Sequence, residues 1–305
     1  MVRRPIDLVN LSGILACMSL AGWCLATGNV TGSKTPMNWS LLALRYACLL
    51  SITLAAAFMA RGEPRRRGLV KVFVNFYPML VVPMVYDSLG PLIELVNPYD
   101  QDHLLRCIDV LIFGTDPAVV LTRLIHPVLT DVLYLAYCTY YVFPLTVGLA
   151  LWRRDTVTAK RFIFTTAVAF YVSYVGYFLV PALGPRFDPA YDMAPDLRTS
   201  SLSIAIADGL VKMSGNLHDV FPSGHTMITV ICLMTAYRHA RRVFWPLLPV
   251  GTLLVCATMY CRFHYVIDVI AGLALAAVVP PVTRWVFDRF TPAENVRPAV
   301  AGAGA

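Results

Sequence analysis

About eight runs of apolar residues, each near the length an α-helix needs to cross roughly 30 Å of hydrocarbon, follow one another along this chain. They lie near 8–26, 39–60, 71–95, 128–152, 161–182, 224–238, 243–260 and 265–287. Lipid offers a bare backbone no hydrogen-bond partners, so runs of this kind fold as helices. The predicted fold class is therefore all-α, a polytopic membrane helical bundle of about eight transmembrane helices. A soluble chain is hard to reconcile with 305 residues of which 58% are hydrophobic and 14% charged. The first run is the weakest, with Asn10, Ser12 and Ser19 inside it, and the third carries Pro78, Pro83 and Gly90 and should kink. A signal peptide is the other reading of the first run. An uncleaved span suits the charge pattern better.

The net charge of +7 does not point to nucleic acid, because the basic residues sit in clusters between the apolar runs and are not interleaved with aromatics. Arg3 and Arg4 precede the first run. Arg61, Arg65, Arg66, Arg67 and Lys71 separate the second from the third; Arg153, Arg154, Lys160 and Arg161 separate the fourth from the fifth. Arg238, Arg241 and Arg242 divide the sixth from the seventh, and Arg284 and Arg289 end the eighth. With eight spans and both termini cytoplasmic, every cluster falls on the inner side. The connection 183–223 and the corner 261–264 then share the non-cytoplasmic face.

Segment 98–127 is too polar to span, being interrupted by Asp100, Asp102, His103, Arg106, Asp109 and Arg123. Its apolar residues Leu104, Leu105, Ile108, Leu111 and Ile112 recur at helical spacing, so short interfacial helices on the outer face are expected there, punctuated by Gly114 and Pro117. The organisation read from these features is an amino-terminal membrane extension (1–127), a helical core (128–290), to which the motifs below add a catalytic reading, and a disordered tail (291–305). The eight cysteines show no CxxC spacing. They read as apolar packing residues, with neither disulfides nor a metal site expected.

Chemistry concentrates in two stretches, Phe221-Pro222-Ser223-Gly224-His225-Thr226 and Arg262-Phe263-His264-Tyr265-Val266-Ile267-Asp268. His264 and Asp268 are four apart and share a helix face. An aspartate accepting from one imidazole nitrogen would leave the other as a nucleophile; a buried, mutually satisfied polar pair is the alternative. Ser223 is a good N-cap, Gly224 permits close approach, and a helix N-terminus there would offer N–H groups to an anion. His225, protonated, would serve as a general acid. Arg186, in Gly184-Pro185-Arg186, and Arg262 could bind phosphate oxygens, although a lone arginine at a helix end is equally an interfacial anchor. Tyr134, Tyr137, Tyr140 and Tyr141 read as interface and packing aromatics. Asp87 and Asp131 could meet a polyol head group or be paired with arginine, and Lys212, His218 and Asp219 stay open.

Gly-Pro-Arg, Pro-Ser-Gly-His and His-x-x-x-Asp, in that order and separated by apolar runs, resemble the motifs of the type-2 phosphatidic acid phosphatase superfamily of lipid phosphatases and phosphotransferases. The resemblance covers roughly residues 128–287. It implies His264 as a nucleophile forming a phosphohistidine, Asp268 as its orienter, His225 as proton donor to the leaving group, and Ser223, Gly224 and Arg186 as phosphate binders. No metal or other cofactor is implied. Two departures stand out: Leu179 occupies the place of the first-motif lysine, and Thr258 that of the third-motif arginine, the nearest arginine being Arg262. With the long extension and Asp109, Gly114 and Pro117, these departures resemble the inositol phosphorylceramide synthase-like branch, which moves a phosphorylated alcohol between lipids.

The expected partners are thus a membrane lipid phosphate and, as acceptor, a lipid hydroxyl or water. A lipid phosphate phosphatase is the alternative within the same chemistry. A transporter or scaffold is the alternative outside it, but its ionisable groups would sit near mid-membrane, and no repeated halves are visible. Vanadate-dependent haloperoxidases share the histidine arrangement but suit a soluble chain.

Overall fold

A computed structural model of the protein describes residues 4–27, 38–61, 68–192, 194–213 and 216–291, and all regular structure among them is helical. Arg3, Arg65, Arg66, Arg67 and the tail 292–305, to which charge and disorder expectations were attached, lie outside the described residues.

Every apolar run becomes helix. α1 (Pro5–Thr27) packs on α2 (Trp39–Ala60). The third run is divided into α3 (Leu69–Phe76), α4 (Pro78–Tyr86) and α5 (Leu89–Val96); Pro78, with no N–H to continue the ladder, opens α4. Segment 98–127 forms α6 (Asp102–Phe113) and α7 (Pro117–Leu121). Gly114 closes α6 at φ +70°, and the Asp116 carboxylate caps α7 by accepting from Ala118 N at 2.9 Å. The fourth run is α8 (Pro127–Cys138) and α9 (Val142–Trp152), bent by 49°. There follow α10 (Thr156–Leu179), α11 (Ser201–Met213), α12 (Gly224–His239), α13 (Arg241–Tyr260) and α14 (Val266–Phe290).

Among the described residues, six helical stretches are long and apolar enough to cross a membrane, and seven if bent α8–α9 is one span. The protein is an integral, multi-pass membrane protein, but the expected count of about eight is not reached. The shortfall is α12, whose 16 residues rise only about 24 Å.

α10 has a core on either side. Phe143, Val147, Phe162, Met227, Ile231 and Leu254 form one, where α9, α10, α12 and α13 meet. Ile14, Leu49, Val81, Ile93 and Tyr174 form the other, where α1, α2, α4 and α5 reach α10. Of the polar residues that weaken the first run, Asn10 is satisfied inside this second core, while Ser12 and Ser19 are exposed. Asp7 pairs with Arg4 at 2.6 Å and accepts from the Tyr77 hydroxyl at 2.7 Å, while Asn10 links Tyr77 and Tyr171 at 3.2 Å each.

At one end of the bundle, loops 180–192, 216–223 and 261–265 converge, and α6 ties them together. Asp102 accepts from Leu183 N (2.9 Å), Gly184 N (2.8 Å) and the Tyr265 hydroxyl (3.0 Å). Asp109 accepts from Val266 N (2.7 Å) and Ile267 N (2.8 Å), the first two N–H groups of α14, which have no partner within their own helix. Burial raises both carboxyls above the usual carboxylate range, and the backbone N–H groups pull the other way. Gly184, at φ +83°, lets the loop after α10 pass close to the Phe263 carbonyl: a Cβ there would stand 2.7 Å from that oxygen.

Candidate active site

The start of α12 is built by Ser223. Its hydroxyl accepts from Thr226 N at 3.2 Å, an N-cap contact, and donates to Thr226 Oγ1 at 3.0 Å. Its own N–H donates to the backbone carbonyl of Asp268 at 3.0 Å, joining the first turns of α12 and α14. Gly272 permits that approach, since a Cβ there would meet the Ser223 carbonyl at 2.6 Å. On the other side, Gly224 lies against Ser173 and Tyr177 of α10. Three helices are therefore fixed around the point where His225 begins its side chain.

His264 arrives from a corner. The N–H groups of Phe263 and His264 both donate to the Thr258 carbonyl at 2.9 Å, and Arg262 takes φ +60° to complete the turn. His264 is 3% exposed. Its Nδ1 lies 2.9 Å from the Val220 carbonyl oxygen, a contact that is a hydrogen bond only when Nδ1 carries the proton. In the neutral ring Nε2 is then unprotonated, and it faces His225 Nδ1 at 3.4 Å.

Asp268 does not make the bond expected of it. Its Oδ2 is 3.6 Å from His264 Nδ1, beyond hydrogen-bond distance, and accepts instead from Tyr265 N at 2.7 Å. The reason lies in its place on α14: as the third residue it closes a capping box with Tyr265. Its other oxygen, Oδ1, is buried without a hydrogen-bond partner. The carboxylate still lies 3.6 Å from the imidazole, so it can stabilise positive charge there without setting the tautomer.

His225 sits in an aromatic stack. Tyr137 lies on it at 4.6 Å between ring centroids and 25° between planes, and Tyr140 flanks it at 4.1 Å. Phe263 stacks on Tyr137 at 4.1 Å and 17°, and the Arg186 guanidinium lies 4.7 Å from the Phe263 centroid and 4.7 Å from that of Phe187. Guanidinium, phenyl, phenol and imidazole thus form a continuous file from the loop after α10 to His225. Arg186 Nε is buried without a hydrogen-bond partner, while the backbone N–H of Arg186 donates to the Arg262 carbonyl at 2.9 Å.

The structure thus gathers His264, His225, Asp268, Ser223, Gly224 and the Arg186 guanidinium at one end of the bundle. The Arg262 side chain is turned elsewhere, donating to the Pro195 carbonyl at 2.8 Å, and burial lowers its pKa from the usual value. Of the residues left open, Asp87 pairs with Arg45 at 2.7 Å and Asp131 accepts from Ser200 at 2.5 Å. His218 meets Asp100 at 3.1 Å, and Asp219 accepts from the Tyr86 hydroxyl at 2.6 Å. Lys212 lies exposed in α11.

Three contributions were not assigned from the sequence. Asp102, taken only as polarity that stops segment 98–127 from spanning, and Asp109, taken as that and as part of the branch resemblance, are the clamps on the loop after α10 and on the start of α14. Their signal was legible: with Leu105 they are the buried residues of α6, at the i, i+3, i+7 spacing of one helix face. Tyr137 and Tyr140, taken as packing aromatics, form the walls around His225. The Val220 carbonyl, as a backbone atom, carries no residue-type signal at all.

A family model described as the PAP2 superfamily matches residues 103–281, more than half of the chain. The matched region contains all seven candidate residues and begins inside α6. No curated protein and no solved structure matches the chain.

Proposed function

The chain belongs to the PAP2 superfamily, and from that membership we propose an integral-membrane enzyme that opens a lipid phosphate ester through a phosphohistidine at His264. The observation that carries the reading is the division of labour at the two ring nitrogens of His264, one held by a main-chain carbonyl and the other facing His225.

In the proposed reaction, His264 Nε2 attacks phosphorus and the ester P–O bond breaks. His225, protonated, gives its proton to the departing alkoxide. The phosphorylated imidazole keeps its Nδ1 proton on the Val220 carbonyl, and its positive charge is countered by Asp268. Arg186 and the N–H groups at the start of α12 receive the charge of the equatorial phosphate oxygens. An acceptor hydroxyl then attacks phosphorus, neutral His225 takes its proton, and the P–N bond to His264 breaks. No metal enters the scheme, so activity should persist in chelator; loss with rescue by a divalent ion would contradict it.

The acceptor assigned is a lipid hydroxyl, in an inositol phosphorylceramide synthase-like transfer, with Leu179 and Thr258 in place of two basic family positions as its support. A simple lipid phosphatase, with water as acceptor, is the second reading. The membrane orientation assigned puts the site on the non-cytoplasmic face and both termini in the cytoplasm. It is supported by the position of Arg153, Arg154, Arg241, Arg242, Arg284 and Arg289, all at helix ends remote from His225 and His264. Incubation with donor and acceptor lipids, with products resolved by mass spectrometry, tests the assignment: a new head-group conjugate supports transfer, and free phosphate alone supports hydrolysis.

A further inference from the structure

A cavity of about 160 Å³ lies between α4, α9 and α10, lined by Pro78, Pro83, Tyr141, Pro144, Leu145 and Phe170 among others. It exists because the helices around it are broken. Pro78 opens α4, Pro83 interrupts its ladder, and the 49° bend between α8 and α9 falls beside Tyr141 and Pro144. At the mouth, Leu80 and Leu145 are exposed, at 61% and 46%, while Val82 and Ala167 at the inner wall are buried. In a membrane-embedded bundle, that mouth opens on hydrocarbon.

The inner end of the groove is joined to the active site through one ring. Tyr140 lies 4.1 Å from His225 on one side, and 5.0 Å from Tyr141 and 6.1 Å from Phe170 on the other. The α10 residues beside the start of α12 are Ser173 and Tyr177, whereas those lining the groove are Ala167 and Phe170. The groove's wall on α10 is therefore centred about 10 Å further along the helix, away from the loops that carry the phosphate binders. A molecule with its phosphate at His264 and its body in the bilayer would run in this direction.

We propose that this groove seats a hydrocarbon chain of the substrate whose phosphate is at His264, with Tyr140 as the partition between head group and chain. The proposal rests on the lipid-phosphate reading above and adds where the chain goes. α4, one wall of the groove, lies outside residues 103–281, so the groove belongs to this chain's amino-terminal helices as much as to the family-matched region. A bilayer chain gains little hydrophobic energy on entering, because lipid tails are as apolar as the lining. Selection must come from shape, and the prolines supply a wall that does not adjust.

The test uses the full chain in lipid nanodiscs with a phosphatidate that carries a diazirine midway along one acyl chain. After photolysis, label should concentrate on peptides containing 78–83 and 141–145, and unlabelled phosphatidate should compete it away. Label spread evenly over lipid-facing helices, indifferent to competitor, would mean ordinary bilayer contact and overturn the proposal. In parallel, Leu145→Trp should lower the ratio of kcat/KM for long-chain over dihexanoyl phosphatidate by about tenfold, the scale on which a pocket discriminates apolar groups. Leu273→Trp, at a lipid-facing position outside the groove, should leave that ratio alone. Equal losses on both substrates in Leu145→Trp would also overturn the proposal. Should the wild type cleave no lipid phosphate, the reaction assignment falls, and the labelling pattern still decides the groove.

Discussion

His264 Nδ1 lies 2.9 Å from the Val220 carbonyl oxygen, nearer than it lies to any oxygen of Asp268. A main-chain group, held in place by the loop before α12, therefore sets the tautomer of the proposed nucleophile. The aspartate is left with an electrostatic part and a structural one.

This separates two variants that a simple dyad would equate. His264→Ala should abolish turnover and the acid-labile, base-stable phosphoryl label. Asp268→Asn keeps an oxygen for Tyr265 N and leaves Val220 in place, so it should lower kcat by about 10²-fold, the scale of one lost electrostatic partner. Rapid-quench kinetics with labelled lipid phosphate measure both. An Asp268→Asn enzyme as inert as His264→Ala would show that the carboxylate does set the tautomer.

The Arg186 guanidinium is held between two rings. Arg186→Lys keeps the charge but loses the planar fork and much of the stacking on Phe187 and Phe263. It should reduce kcat/KM by about 10-fold or more, and weaken inhibition by inorganic phosphate in parallel. Phosphate inhibition unchanged in both Arg186→Lys and Arg186→Ala would remove Arg186 from the phosphate site.

The stack on His225 makes a separate prediction. Tyr137→Phe preserves the ring against His225 and should leave the pH–rate profile in place. Tyr137→Leu removes it, and the limb that reports the acid should move. Matching profiles in the two variants would mean that the ring only fills space.

Asp109 links the site to stability. Burial lifts its carboxyl above the ordinary 3.8. Between 3.8 and that raised value the folded protein keeps a proton that the unfolded chain has lost, so this group's contribution is greatest below the window and declines as pH rises through it. Asp109→Ala should cost about 1–2 kcal/mol through two uncapped N–H groups of α14. Asp109→Asn cannot titrate, so the gap in thermal midpoint between wild type and Asp109→Asn should shrink as pH rises through the window. A gap independent of pH would contradict the buried, raised carboxyl.

Much of this was legible in the chain because the relevant signals are local. Apolar runs fix helices, and Ser223 before Gly224 announces a helix start. His264 and Asp268, four apart, do come within 3.6 Å of each other, but His264 stands in the corner before α14, so the two do not share a helix face as expected. What was not legible depends on contacts between distant segments. Asp268 could be placed near His264, but the pull of its own helix cap, 2.7 Å away at Tyr265 N, is decided by side-chain torsion. The Arg262 side chain is drawn off by the Pro195 carbonyl, 67 residues upstream. The length of α12 illustrates the same limit: hydropathy marks an apolar run but does not say where Ala240 will end the helix.

A labelling experiment addresses orientation. With exposed native thiols removed, a cysteine at position 200 should react with an impermeant reagent from the non-cytoplasmic side. Reaction only from the cytoplasm would invert the assignment.

With a packed surface on both flanks, α10 works as a party wall. The helices before residue 97 cannot be detached like an appended module, because removing them would turn Ala167, Tyr174 and Tyr177 from protein neighbours to lipid. Tyr177 adjoins Gly224 and packs on Tyr174, whose ring meets Phe170, itself beside the Tyr140 that flanks His225. Insertion of the amino-terminal helices is thereby a condition for a correctly shaped catalytic end, and a chain cut back to residues 103–281 should be a poor enzyme even with every motif intact.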